Sequence, residues 1–230
     1  MFHWRWTSAQ RYYDDYLNVA PAPLGSVLWF LSWSGQAERA IEIGKKAAAR
    51  DPSNWTAHWY LAWVDLYAGH DDEAVAEIQR ATDLAPTLTI THGVLAWAEI
   101  ARGHNDAALR ELQQVDALVD GNNRSIIVLL DLLRGFGRLG RRVEVDRLVA
   151  ELQKLPSGQD IGIGGRATVY LAQGEEGKAL EELRRGVEHA RNHMIDPGFL
   201  TLMNLRMNLG RDPVLEKPEF LEARRALRGD

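Results

Sequence analysis

With 230 residues, nearly half of them apolar, the chain can bury a substantial core as one large domain or two small ones. A net charge of −5 argues against the basic footprint of a nucleic-acid binder. No apolar run reaches the roughly 20 residues a membrane helix needs, and the opening MFHWRWTSAQ lacks the apolar core of a secretory signal. The absence of cysteine excludes disulfides, thiolate metal sites and thiol catalysis. The expected location is cytoplasmic, although a periplasmic protein tolerates the same composition.

In chain order, residues 7–19 read as a helix capped by Thr7 or Ser8 and stopped by Pro21. A second helix at 24–34 ends at Gly35, which can supply a left-handed cap, and a third at 37–50 closes on Asp51-Pro52. Helices at about 54–68 and 71–84 are split by Gly69, and those at about 88–102 and 105–119 by Gly103. Asp71 and Asn105, just past those glycines, are expected to cap the second helix of each pair. Pairs at about 123–139 and 142–155, then 159–173 and 176–190, are split by Gly140 and Gly174. Beyond residue 190 the pattern gives a helix at about 197–209, a proline-bounded turn and a last helix at about 218–228. No stretch sustains a period of two, so essentially no strand is expected.

The turn glycines 35, 69, 103, 140 and 174 leave four intervals, three of them 34 residues. Trp29, Trp63 and Trp97 keep the same step, as do Ala40, Ala74 and Ala108, and Pro52 and Pro86. A fixed period of this length means stacked copies of one supersecondary unit.

The unit resembles the tetratricopeptide repeat. The pattern of that family stands in the second copy as Leu61-Ala62, Gly69, Ala74, Ile78, Ala81 and Pro86. The first keeps Val27-Leu28, Gly35, Ala40, Ala47 and Pro52; the third keeps Leu95-Ala96, Gly103, Ala108 and Leu112, with Val115 and Asp120 departing from Ala and Pro. The fifth keeps Ala167, Tyr170, Gly174, Ala179 and Leu183, with Arg166 off pattern, and the fourth keeps only Leu132-Leu133, Phe136 and Gly140. The resemblance implies an all-α, right-handed superhelical solenoid in which each helix pair buries its open face on the next. The expected layout is a half repeat at 1–21, five repeats over 22–190 and a C-terminal helical cap at 191–230. The opening WRWTSAQRYYDDYLNVAP and the tail DPVLEKPEF also look like the repeat region that follows the output domains of bacterial signalling proteins. Class III adenylyl cyclases, winged-helix regulators and serine/threonine kinases are among these. That similarity implies a bacterial, regulatory scaffold for protein binding.

The tryptophans are the leading site. The resemblance implies that the middle of each first helix faces the concave surface, so Trp29, Trp63 and Trp97 should form a ladder, with Trp33, Trp59, Tyr67 and Ile100 nearby. Either the rings pack repeats together, covered by the chain's own C-terminal segment, or they line a groove for a peptide or partner domain. His58 and His92 share one repeat position, Asp65 and Glu99 another two turns on, but about 10 Å along one helix separates His from acid. No metal site is therefore expected there. His70 and His104 read as solvated turn residues. His189 and His193, four apart, find no third ligand beyond Glu188 or Asp196. Gly162, Gly164 and Gly165 mimic a phosphate loop only loosely, because no strand precedes them. Arg134, Arg138, Arg141 and Arg142 suggest a small basic patch. No acid, base and nucleophile assemble, so no catalytic residue, cofactor or metal is expected and the chain is not read as an enzyme.

Residues 1–21 look like the second helix of a repeat whose first is missing. Upstream sequence could cover its face with Tyr12, Tyr13 and Tyr16, or two chains could dock there as a homodimer, or Phe2, Trp4 and Trp6 could fold back over it.

Overall fold

The computed structural model describes residues 24–33, 35–119, 124–154, 161–192 and 217–222, the side chains of residues 33 and 187–192 excepted. The segments at 1–21 and 197–209, and the side chains of His189 and His193, lie outside the described residues. Ten helices follow in pairs: α1 (Leu24–Trp33) and α2 (Ala37–Arg50), α3 (Trp55–Ala68) and α4 (Asp71–Leu84), α5 (Thr89–Ala101) and α6 (Asn105–Leu118), α7 (Ile126–Arg138) and α8 (Arg142–Leu152), α9 (Gly162–Ala172) and α10 (Glu176–Asn192). No strand occurs among the described residues, and the protein is all-α, built of helix–turn–helix repeats. No described helix is long and apolar enough to cross a membrane.

Five turns are made the same way. Gly35, Gly69, Gly103, Gly140 and Gly174 all have φ between +67° and +91°, the left-handed region that glycine enters without a Cβ clash. The residue after each glycine donates its N–H to a carbonyl five residues back. These bonds run from Gln36 to Leu31, His70 to Asp65, His104 to Glu99, Arg141 to Phe136 and Glu175 to Tyr170, all at 2.8–2.9 Å. Each glycine N–H reaches the carbonyl three back, which completes a Schellman closure. The carbonyl of that same following residue then accepts the first bond of the next helix, from Ala40, Ala74, Ala108, Val145 and Ala179 in turn. The cap position is thus one residue earlier than the sequence suggests. His70 precedes α4 without a side-chain capping bond, and Asp71 is the first helical residue. Asn105 likewise opens α6 from inside. The acids of the first turn still favour the helix N-terminus through its dipole.

Such short turns press the paired helices together, and the side chain five residues past each glycine is small. Ala40, Ala74, Ala108, Val145 and Ala179 are all buried, as are Leu28, Ala62, Ala96, Leu133 and Ala167 on the facing helices.

The helices form two compact units. In the first, α1–α6, each second helix packs on the next first helix, and α1, α3 and α5 also touch in succession. Gly25 admits Tyr60 so closely that an added Cβ would fall 2.3 Å from the ring. In the second unit, α7 pairs with α8, α9 with α10, and α7 with α9. There Gly137 faces Ala172 and Gly165 faces Leu130. Phe220, from the helical stretch at 218–222, is buried against Ala167, Ala179 and Leu183. Lys217 adds an ion pair to Glu176. The expected basic patch is dispersed: Arg134 is buried on the core side of α7, Arg141 bonds Glu144 at 2.6 Å, and Arg142 donates to the Gln173 carbonyl.

Two glycines in helices should respond oppositely to alanine. At Gly137 a Cβ would meet the Ala172 backbone at 2.6 Å, so Gly137→Ala is expected to lose about 1–3 kcal/mol. Gly177, with nothing within 4 Å, should gain up to about 1 kcal/mol from helix propensity. Urea unfolding of the two variants checks both signs.

Candidate functional site: an aromatic cluster and its polar neighbours

Helices α1, α3 and α5 bring their tryptophans together because they repeat one register. Trp29 lies 5.7 Å from Trp63 between ring centroids, tilted, and meets Trp59 and Tyr60 edge-on at 6.4 and 6.3 Å. Trp59 in turn contacts Tyr60 at 4.7 Å and Trp63 at 6.4 Å. Trp97 joins the same apolar cluster through Ala62, Leu66, Val94 and Ala98, with Ile100 packed at its margin. Edge-to-face geometry suits the ring quadrupoles and adds roughly 0.5–1.5 kcal/mol per pair beyond burial.

Trp59, Trp63 and Trp97 are 7–9% exposed, while Trp29, Tyr60 and Ile100 are half-buried. Tyr67 is half-buried at the end of α3, and the Trp33 side chain lies outside the described residues. The Trp59 indole donates to the Ile90 carbonyl at 3.2 Å, tying α3 to α5. The Trp63 indole N–H is buried without a hydrogen-bond partner among the described residues. Tyr60 and Trp55 belong to the cluster but escape the repeat argument, since neither recurs 34 residues on. The signal for Tyr60 was the glycine in α1 that receives it.

The polar side chains repeat as well. His58 places Nδ1 2.6 Å from Glu77 Oε2 and Nε2 3.1 Å from the Pro52 carbonyl. His92 does the same with Glu111 at 2.7 Å and the Pro86 carbonyl at 2.9 Å. Each ring thereby joins three elements: the turn before a repeat, its first helix and its second. A neutral imidazole donates through one nitrogen only, so both contacts are full hydrogen bonds when the ring is charged. Among the described residues no cluster of histidine and acid suits a metal ion. The glutamates were missed because the partner sits 19 residues away on another helix, although that spacing recurs.

Asp65 and Glu99 pair across the turn rather than with those histidines. Glu99 Oε2 lies 2.9 Å from His104 Nδ1, and Asp65 Oδ1 lies 3.7 Å from His70 Nδ1. Burial pushes the Asp65 carboxyl up to about 6, opposed by the nearby charges of Lys45 and His70.

Residues 34–90 match the tetratricopeptide repeat family. A thermophilic tetratricopeptide-repeat protein of Thermus thermophilus superposes with a TM-score of 0.58 at 20% identity, over 83% of this chain and 99% of that one. The tetratricopeptide-like repeats of a kinesin light chain from Podosopora anserina give 0.52 at 19% identity, over 80% and 93%. At that identity the likeness speaks for the fold. No curated protein matches the sequence.

Two measurements test the polar frame. A double-mutant cycle of His58→Ala and Glu77→Gln should return a coupling of about 1 kcal/mol or more, mirrored by His92 and Glu111. For Asp65 the folded carboxyl titrates higher than its unfolded value of 3.8. Stability therefore falls as pH rises from about 4 through about 6 and then levels off. Asp65→Asn should recover about 3 kcal/mol at about pH 8 and almost nothing below about pH 4, read by denaturant unfolding across pH.

Proposed function

We propose that the chain is a non-enzymatic protein-interaction scaffold, regulatory in role. In this reading a peptide or a partner domain binds against the aromatic wall of Trp29, Trp33, Trp59, Trp63, Tyr67, Trp97 and Ile100. The observation that carries it is the ring contact running from α1 to α3 and the continuation of the same cluster onto α5. Aromatic residues gathered on one wall of a rigid scaffold supply large contact area at low entropic cost, which is the make-up of a binding hot spot. The similarity of both ends of the chain to the repeat region of bacterial signalling proteins supports a regulatory setting.

A second reading draws on the low exposure of Trp59, Trp63 and Trp97. On it the wall is filled by the chain itself, and the protein is a structural module that dimerises through residues 1–21. Trp29 separates the two. It is half-buried, so Trp29→Ala should cost little stability, whereas truncating the buried Trp63 should cost about 3–5 kcal/mol. On the interaction reading, Trp29→Ala weakens a partner recovered by affinity capture and confirmed by titration at least about tenfold, with the melting temperature held within a few degrees. Unchanged affinity, or a sedimenting dimer that binds nothing else, rejects it.

A further inference from the structure

The turn edge of the first unit carries a second feature, apart from the aromatic wall. An open cleft of about 460 Å³ has His70, Asp71, Asp72 and Glu73 on one side and Arg102 and His104 on the other. Behind its wall stands Asp65. Its side chain is 1% exposed, neither carboxylate oxygen has a hydrogen-bond partner among the described residues, and Oδ1 is directed at His70, the cleft wall, from 3.7 Å. Glu38 approaches the other nitrogen of His70 at 3.7 Å. Glu99 backs His104 at 2.9 Å and lies 3.9 Å from Arg102. Six carboxylates thus surround a single guanidinium, that of Arg102, which bonds Asp72 at 2.9 Å.

The fold does not ask for these acids. At the position of Asp65 and Glu99, four residues before the turn glycine, the other repeats carry Leu31, Phe136 and Tyr170. Leu31 and Phe136 are buried there at no electrostatic cost. Only the two repeats that flank the cleft carry an acid. A buried carboxylate left without hydrogen bonds is expensive, and the raised titration of Asp65 reflects the lack of a close cation.

We propose that this cleft binds the arginine side chain of a basic partner peptide. A metal ion fits less well, because no three histidine or acid groups converge on one point among the described residues. A planar guanidinium, with donors in several directions, can bridge carboxylates spread along two turns. The cleft is open, so a side chain can enter without movement of the helices.

The test uses the full chain and acetyl-tetra-arginine amide, with the isosteric tetra-citrulline peptide as the uncharged control. Calorimetric titration at low salt should show binding of the arginine peptide and none of the citrulline one. Asp65→Asn and Glu73→Gln should each weaken that binding about fivefold or more, while Glu181→Gln, an exposed acid of the second unit, should leave it unchanged. The ring resonances of His70 and His104 should shift on titration. Equal weakening by Glu181→Gln would reduce the effect to diffuse attraction by an acidic protein and overturn the site. So would indifference to Glu73→Gln, or zinc or calcium alone shifting the same resonances more tightly than the peptide. Glu73 is exposed in the first turn of α4, so its variant keeps the test decisive if Asp65→Asn alters the fold.

Discussion

One residue per turn serves two helices. Its N–H closes the first by bonding the carbonyl five residues behind, and its carbonyl opens the second. With no spare residues between them, the paired helices must run close, and only a small side chain fits at the first buried position of the second helix. Ala40, Ala74, Ala108, Val145 and Ala179 meet that limit. From this constraint follow the contact of successive first helices, the stacking of their rings and the alignment of their polar groups. A left-handed φ at the glycine is what makes the arrangement sterically cheap.

Much of this was legible beforehand, because a glycine forced to positive φ and an alanine forced small are local requirements written into single positions. The helices α2 and α4 fall where the pattern put them, and α7 and α9 start three residues later than expected. Ser125, which caps α7 by accepting from Val128, marks the start better than the apolar run that precedes periodic burial. Capping at the glycine-plus-two position was misjudged because propensity points to Asp71 while the Schellman bond selects His70. The tryptophan register was readable; the burial of the rings was not, since a period specifies which face a residue shares and not what lies over it. Cross-helix partners such as His58 and Glu77 depend on tertiary contact and leave only a recurring spacing as a trace.

The same backbone carries different chemistry along the seam between paired helices. Where repeats two and three hold His58 with Glu77 and His92 with Glu111, the fourth holds Leu129 and Leu148, both fully buried. The fifth keeps the acid as Glu182 but pairs it with Arg166 at 2.7 Å, which accounts for the one residue there that breaks the apolar pattern. A buried ion pair contributes less net stability than leucine against leucine, yet it has one satisfied geometry where an apolar contact has many. The ionic seams therefore fix register, and the apolar seam supplies stability.

The distribution of indoles has a practical consequence. Trp29, Trp55, Trp59, Trp63 and Trp97 all belong to the first unit, and the described part of the second relies on Phe136, Tyr170 and Phe220 for its aromatic content. Intrinsic emission is accordingly a reporter for one half of the molecule, whereas far-ultraviolet ellipticity samples both. Divergence between the two spectroscopic melting curves would count the cooperative units directly, without a label or a truncation.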